Sequence, residues 1–225
     1  MIDFRNMDCL AGMKEYPDKY FDLAIVDPPY GDARGGAADR FGQRFDRYKE
    51  SRQDGRNMGS KIRKKIVAWD IAPGKEYFDE LFRISRNQII WGANYFEMPP
   101  TRCFIVWEKT NIPEDFTMSM CEYAWTSFQS NAKVCKFSSL RDNTSGKFHP
   151  TEKPIKLYEW LLSRYASPGD KILDTHVGSA SSLIACHNMN FDAVGFEIDK
   201  TYYDKAKARL EAVQSQMNIF DFMEV

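Results

Sequence analysis

A short apolar run that ends in Asp-Pro-Pro-Tyr constrains this chain more than any other feature. Residues 23–26 (Leu-Ala-Ile-Val) are typical of a central strand in a parallel sheet, buried on both faces. Two prolines follow Asp27. Because a proline has a fixed φ and no N–H to donate, they predict a stiff turn at the carboxyl end of the strand. Ligands of open α/β sheets bind at that end.

This turn presents a carboxylate (Asp27), an acceptor carbonyl (Pro28) and an aromatic ring (Tyr30), which together suit methylation of an exocyclic amine on a nucleobase. Such an amine is a poor nucleophile because its lone pair is delocalised into the ring. Acceptors on both of its hydrogens would aim the lone pair at an electrophile. An aromatic side chain can hold the face of a base that has left the stack. The predicted catalytic residues are therefore Asp27, Pro28, Pro29 and Tyr30; the alternative is an ordinary turn capped by Asp27.

Composition limits the class of protein. A length of 225 residues suits one α/β domain, and 31 basic against 32 acidic residues mean that any surface for nucleic acid must be local. The five cysteines are scattered and never in CxxC spacing, which predicts reduced thiols and no metal site. No signal peptide or long apolar span is visible. We therefore expect a cytoplasmic protein with no membrane partner.

Elsewhere, short apolar stretches alternate with stretches of helical period, as is typical of a mostly parallel α/β sheet. The predicted strands are 88–91, 103–107, 122–126, 171–174 and 193–196. The predicted helices are a short one after Asp8 that ends near Pro17, then 77–85, 155–165 and 181–187.

Asp27-Pro28-Pro29-Tyr30 resembles motif IV of the DNA amino-methyltransferases, which methylate adenine N6 or cytosine N4. Three later segments resemble motifs X, I and II of the same family: HPTEKP at 149–154, DTHVGSA at 174–180 and GFEID at 195–199. Motif IV precedes motif I, which is the order of the β group. The resemblance implies a circularly permuted, Rossmann-like AdoMet-dependent methyltransferase fold (AdoMet is S-adenosylmethionine). It also implies about seven mostly parallel strands, with one antiparallel strand near the edge.

The resemblance makes AdoMet the expected cofactor, and it makes the cytoplasm of a bacterium the expected location, for a protein that the bacterium or a phage encodes. Glu197 ends a strand about two dozen residues after Asp174, where an acid can accept both ribose hydroxyls of a nucleoside. Lys153 would face the carboxylate of the cofactor. The chain departs from the family form of motif I at Thr175-His176 and at Ala180, and His176 is expected to pack where the family has Phe. The cofactor-binding residues implied are Asp8, Cys9, Asp27, Lys153, Asp174, Gly178, Ser179 and Glu197, with a helix cap as the alternative role for Asp8.

Two segments are expected to meet DNA. Residues 31–68 hold six glycines, eleven Lys or Arg and five acids, which predicts a long loop that grips phosphates and closes over a flipped base, or else a solvated insertion. Residues 130–148 stand where the family has a target-recognition segment. Trp107 and Lys109 are candidates for the base pocket, with a place in the core or at the rim as the alternative for Trp107. The DNA-binding candidates are Arg34, Arg40, Arg44, Lys61, Arg63, Lys64 and Lys65.

The interpretation is a single methyltransferase domain over residues 1–225 that methylates adenine N6 in duplex DNA. Cytosine N4, an RNA substrate and a non-catalytic partner of a methyltransferase pair stay open as alternatives, while cytosine C5 is disfavoured because no Pro-Cys occurs. Residues 216–220 (QMNIF) resemble a peptide that binds the bacterial sliding clamp; docking of this tail on its own domain is the favoured alternative. A homodimer is not decided by the sequence.

Overall fold

The computed structural model describes residues 1–31, 71–116, 119–139 and 152–216. Its strands are β1 (Ile2–Arg5), β2 (Phe21–Val26), β3 (Ser85–Trp91), β4 (Phe104–Lys109), β5 (Cys121–Thr126), β6 (Lys133–Phe137), β7 (Lys171–Asp174) and β8 (Asp192–Phe196). Its α-helices in these ranges are α1 (Cys9–Met13), α2 (Lys75–Ile84), α3 (Ile155–Tyr165), α4 (Ser181–Asn188) and α5 (Lys200–Gln214). A 3₁₀ turn, Ala93–Tyr95, follows β3.

The strands of the described ranges form one sheet in the order β1-β8-β7-β2-β3-β5-β4-β6. Every neighbouring pair is parallel except the two made by β5, which runs antiparallel to β3 and to β4. The prediction of a mostly parallel α/β sheet with one antiparallel strand is confirmed. The sheet has eight strands rather than about seven, and β5 lies third from the edge because β4 and β6 continue the sheet beyond it.

Helices cover both faces of this sheet, as in Rossmann-like folds. On one face, α3, α4 and α5 bury apolar side chains such as Leu161, Ile184 and Leu210 against the sheet. On the other face, α1 and α2 contribute Met13 and Leu81 to a second apolar cluster. The two layers leave the carboxyl ends of the parallel strands as an edge that ligands can reach.

The sequence pattern locates the central elements and misses the outer ones. The predicted bounds of α3 and β7 agree with the structure, and those of β3, β4, β5, β8, α2 and α4 agree to within three residues at each end. The pattern misses β1, β6 and α5. Strand β6 lies inside 130–148, so part of the expected target-recognition segment is an edge strand paired with β4.

Several sequence predictions concern residues outside the described ranges. These include nearly all of the basic segment 31–68, residues 140–148 and the tail from 217 onward. Within the described ranges, no helix is long and apolar enough to cross a membrane. All five cysteines are free, and no group of His, Cys, Asp or Glu among the described residues is arranged to hold a metal ion.

Candidate active site

The functional candidates of the described ranges gather at one edge of the sheet. Asp27 follows β2, Asp174 ends β7 and Glu197 follows β8, and these three strands are parallel neighbours or next neighbours. Their carboxyl ends therefore meet at one edge. Lys109 ends β4, and Glu122 reaches the same edge because β5 begins where its antiparallel neighbour β4 ends.

The Asp27–Tyr30 turn is fixed by hydrogen bonds and ring contacts. The Tyr30 hydroxyl donates to Asp27 Oδ1 at 2.9 Å. The Tyr30 ring stacks on Tyr95, with centroids 4.6 Å apart and planes 22° from parallel, and meets the Phe96 ring edge-on. Pro28 is buried at the strand end. The turn thus holds a carboxylate beside an aromatic cluster, as the sequence predicts, and Tyr95 is a member that the sequence argument misses.

Gly92 makes room for the Tyr30 ring. Its backbone is left-handed, with φ +64°, and a β-carbon at this position would lie 2.0 Å from Tyr30 Cε1. A larger residue would be strained by its backbone conformation and would collide with the ring. The turn after β3 therefore determines where Tyr30 can lie.

Lys153 lies against the catalytic candidate rather than apart from it. Its ammonium forms an ion pair with Asp27 Oδ2, and it also lies 3.1 Å from Glu122 Oε2. The ammonium is 5.5 Å from the centre of the Trp91 ring. These contacts give Lys153 a structural place beside Asp27; the contact with a cofactor carboxylate stays a prediction.

Asp174 organises the loop between β7 and α4. Its Oδ1 accepts from the backbone N–H of His176 at 2.9 Å, and its Oδ2 accepts from the Ser182 hydroxyl. Burial raises the pKa of Asp174 to about 6, although these two hydrogen bonds oppose the shift. Both carboxylate oxygens are thus engaged within the loop, and a direct contact between Asp174 and a cofactor stays a prediction.

The structure describes the surroundings of the residues at which this loop departs from the family form. His176 packs edge-on against the Tyr77 ring at 5.4 Å, and burial lowers the pKa of His176 to about 4, so the ring is neutral at pH 7. Its Nδ1 lies 2.9 Å from Thr175 Oγ1, which is 2.6 Å from the Tyr77 hydroxyl. Ala180 has φ +65°, the left-handed conformation that explains a glycine at this point of the family pattern.

Glu197 closes the other side of the loop. Its Oε2 accepts from the N–H of Gly178 at 2.9 Å, and its Oε1 accepts from the N–H of Asp199 at 2.8 Å. Burial raises the pKa of Glu197 to about 7, against the effect of these two bonds. A β-carbon on Gly195 would lie 2.5 Å from Val177 Cγ2, so glycine lets the loop pack directly on β8.

The part of the site formed by Glu197 and the loop after β7 fits a nucleoside. Each carboxylate oxygen of Glu197 has a second lone pair, so the side chain can accept ribose hydroxyls while it keeps its backbone bonds. Gly178, with φ +57°, brings the backbone close without a side chain in the way. The acids Asp174 and Glu197 also suit a ligand that carries a positive charge.

The N-terminal candidates have other roles in the structure. The side chain of Asp8 caps α1 by accepting from the N–H of Ala11 at 3.0 Å, which is the alternative that the sequence leaves open. The sulfur of Cys9 lies 3.8 Å from Nε2 of His176, which belongs to the loop between β7 and α4. Both residues are therefore near the loop, and their contact with a cofactor stays a prediction.

The structure brings in residues that the sequence argument misses. Arg209 of α5 donates to the carbonyl of Ser179 at 2.8 Å and lies 3.2 Å from Glu152, so it clamps the loop from behind. Glu122 bridges Lys153 to Lys109, with 2.7 Å between Lys109 Nζ and Glu122 Oε1. No local motif marks these partners, because each pair is joined only by the fold. The seven basic DNA candidates from Arg34 to Lys65 lie outside the described residues.

The Asp27–Tyr30 turn and the loop after β7 lie at one edge of a mostly parallel sheet, which is the architecture of a Rossmann-like methyltransferase fold. The chain belongs to the DNA methylase family, whose model matches residues 90–208. The matched range includes Lys153, Asp174 and Glu197, whereas Asp27 lies before it.

Individual proteins agree with this assignment. The chain is 23% identical over 243 residues to the type II methyltransferase M.HpaI of Haemophilus parainfluenzae, which covers 96% of this chain and 76% of that protein. The structure of M1.HpyAVI in complex with SAM matches with a TM-score of 0.57 and 20% identity, over 93% of this chain and 99% of that one. PvuII DNA methyltransferase, described as cytosine-N4-specific, matches with a TM-score of 0.60 and 12% identity, over 97% and 87%. At these identities the two structures show the fold alone.

Proposed function

We propose that this protein is an AdoMet-dependent DNA methyltransferase that methylates N6 of an adenine flipped out of duplex DNA. Membership of the DNA methylase family supports the methylation of DNA in general. The proposal that the target is the N6 amine of a flipped adenine rests on the Asp27–Tyr30 turn. In this turn an acceptor carboxylate stands beside the stacked rings of Tyr30 and Tyr95.

In this proposal, Asp27 and the carbonyl of Pro28 accept the two hydrogens of the target amine. A second lone pair on each carboxylate oxygen of Asp27 is available for this, since Tyr30 and Lys153 use only one on each. The acceptors orient the nitrogen lone pair, and preorganised acceptors need no rearrangement during the reaction. The Tyr30 ring holds the face of the flipped base.

In this proposal, Glu197 and the loop after β7 bind the cofactor; we call this part of the site the cofactor half. Glu197 accepts the ribose hydroxyls, and the exposed side chain of Ile198 next to it (59% exposed) offers an apolar surface to a purine ring. AdoMet, named as SAM in the complex of M1.HpyAVI, supplies a methyl group that its sulfonium already activates. No covalent intermediate with the protein is required, so the chain needs no nucleophile.

Cytosine N4 is the second candidate, because its amine can be held by the same two acceptors. The fold likeness to the cytosine-N4-specific PvuII enzyme does not separate the two bases. The residue at position 27 favours adenine, since the β group more often has Ser there in enzymes that act on cytosine N4. An inactive member of a methyltransferase pair would keep the fold and lose the product.

Mass spectrometry of nucleosides tests the proposal. Unmethylated duplex DNA is incubated with the protein and AdoMet, then digested and analysed, with the Asp27→Ala variant as the control. We expect N6-methyladenine from the wild type, and no product from Asp27→Ala although most of its DNA binding is retained. N4-methylcytosine would correct the base. Full turnover by Asp27→Ala would contradict the role of Asp27.

A further inference from the structure

Four charged side chains of alternating sign are joined by ion pairs in the candidate active site. Lys109 Nζ lies 2.7 Å from Glu122 Oε1, and the other oxygen of Glu122 lies 3.1 Å from Lys153 Nζ. Lys153 in turn pairs with Asp27. The order is cation, anion, cation, anion, and the last member is the carboxylate that would hold the target amine.

The chain of charges is largely removed from water. The side chains of Lys153 and Lys109 are only 3% and 6% exposed. Their ammonium groups lie 5.5 Å and 5.3 Å from the centres of the Trp91 and Trp107 rings, which pack edge-on against each other. A buried ammonium without a partner is strongly unfavourable, so the four groups must balance one another.

The two inner members keep their charges for an identifiable reason. Burial opposes ionisation of Glu122, but Lys153 and Lys109 outweigh it and lower the pKa of Glu122. Burial likewise opposes the charge of Lys153, but Asp27 and Glu122 outweigh it and raise the pKa of Lys153. At neutral pH the Lys153 cation is therefore shared between two carboxylates.

Because the Lys153 ammonium is shared between Glu122 and Asp27, it attracts Asp27 less strongly. A lysine that faced Asp27 alone would concentrate its whole attraction on that carboxylate and would compete with the target amine for Oδ2. A second carboxylate on the other side of the ammonium divides the attraction. Glu122 also has its own cation in Lys109, so it does not draw Lys153 away from Asp27.

We propose that Glu122 is a positioning residue for the methyl transfer: anchored by Lys109, it shares the ammonium of Lys153 and leaves Asp27 held in place yet able to accept from the amine. This inference rests on the proposed function, because it assigns a task to a group that acts through Asp27. It makes Lys153 the link between Glu122 and the reacting atoms.

Among the described residues, the titratable groups that interact with Asp27 can be named. Lys153 and Tyr30 contact Asp27 directly, and Glu122 acts through Lys153. Other titratable groups that interact electrostatically with Asp27 come from α2, β7 and α3, namely Tyr77, Asp174 and Tyr158. Replacing Glu122 or Lys153 leaves these three side chains unchanged.

The test compares the rate of a single turnover against pH for Glu122→Gln and Lys153→Met at saturating AdoMet. Saturation matters because Asp174 and Glu197, with pKa values of about 6 and about 7, titrate in the cofactor half. In Glu122→Gln the whole attraction of Lys153 falls on Asp27. We expect a rate at neutral pH that is about tenfold lower and an acid limb moved down by about one pH unit. In Lys153→Met the acid limb should move up instead.

A matched control is available on the same strand. Glu108 precedes Lys109 on β4 and pairs with Lys136 at 3.0 Å on the opposite face, where both side chains are exposed. Glu108→Gln therefore makes the same chemical change outside the site, and its pH profile should follow the wild type. If Glu122→Gln is too unstable, Lys109→Met/Glu122→Gln removes both charges and should move the acid limb in the same direction.

Each outcome decides one question. Acid limbs that move in opposite directions, with the AdoMet affinity of Glu122→Gln within about twofold of the wild type, support the proposal. Acid limbs that stay in place or move together would overturn it, as would a loss of AdoMet binding in Glu122→Gln. A wild type that makes no methylated nucleoside refutes the proposed function; an active wild type with an indistinguishable Glu122→Gln refutes only this inference.

Discussion

At the scale of single residues, burial changes the chemistry of Glu197 more than its position in the sequence suggests. Two backbone N–H groups, of Gly178 and Asp199, stabilise the ionised carboxylate. The loss of hydration outweighs them and raises the pKa from an ordinary 4.5 to about 7. The acid that we propose to bind ribose is thereby kept in place at the cost of some stability at neutral pH.

The sign of the resulting effect on stability can be tested. Because the pKa of Glu197 is raised in the folded protein, its contribution is fully present below about pH 4.5 and is lost as the pH rises through about 7. The free energy of unfolding of the wild type, relative to Glu197→Gln, should rise by about 2 kcal/mol as the pH falls from 8 to 5. Denaturant unfolding at several pH values measures this difference.

The control for this measurement is Glu114→Gln, at an exposed position in the turn after β4. Its stability relative to the wild type should change little over the same range. A wild-type advantage over Glu197→Gln that stays constant between pH 8 and pH 5 would contradict the raised pKa of Glu197.

At the scale of elements, the turn after β3 is the part of the fold on which the aromatic cluster depends. Gly92→Ala places a methyl group inside the Tyr30 ring, so the ring must leave its stack on Tyr95. We expect a folded variant whose methyl transfer is at least about tenfold slower, because the ring that we propose to hold the base is displaced together with its hydrogen bond to Asp27. Thermal unfolding and single-turnover rates provide the measurement.

Gly169→Ala separates the steric effect from backbone strain. Gly169 also has a left-handed backbone, with φ +92°, but a β-carbon there would meet no atom within 4 Å. Both variants pay a strain of about 1–2 kcal/mol for a left-handed alanine, and only Gly92→Ala disturbs Tyr30. Equal rates in the two variants would show that the Tyr30 ring can move aside without consequence for catalysis.

The burial pattern of each strand and helix determines whether the sequence could predict it. Helix α3 is found because its buried positions repeat with the helical period, as Leu157 and Leu161 do. Strand β7 is found because it contains a short apolar run that is buried on both faces. Strand β6 is missed because it lies at the edge of the sheet and Cys135 is its one buried residue. An edge strand exposes polar residues and resembles a loop in its composition.

Some residues of the candidate site can likewise be predicted from the sequence, and others cannot. Asp27 and Glu197 can be predicted because each follows an apolar strand, and the carboxyl ends of parallel strands meet. Glu122 and Arg209 cannot, because their partners lie far away along the chain and only the sheet order and helix packing bring them together. The place of Lys153 beside Asp27 depends on the same long-range packing, over 126 residues.

At the scale of the whole molecule, charge is distributed unevenly along the chain. The formal net charge is −1, yet residues 31–68 contain eleven Lys or Arg against five acids. The remainder of the chain is therefore acidic on balance, and affinity for the phosphates of DNA must come from local basic segments. We propose that 31–68, which begins directly after Tyr30, supplies part of that affinity.

The dependence of DNA binding on salt tests this role. Each phosphate contact made by a Lys or Arg adds about 0.9 to the slope of log K against log salt. Replacing Arg63, Lys64 and Lys65 by Gln should weaken DNA binding and reduce the slope by about one to three. The matched control makes the same change of charge at the amino-terminal ends of three strands, opposite the candidate site, at Arg86, Lys133 and Lys171. Because these ends face away from the predicted DNA, the control slope should equal that of the wild type, and equal slopes in both triple variants would leave 31–68 without a part in phosphate binding.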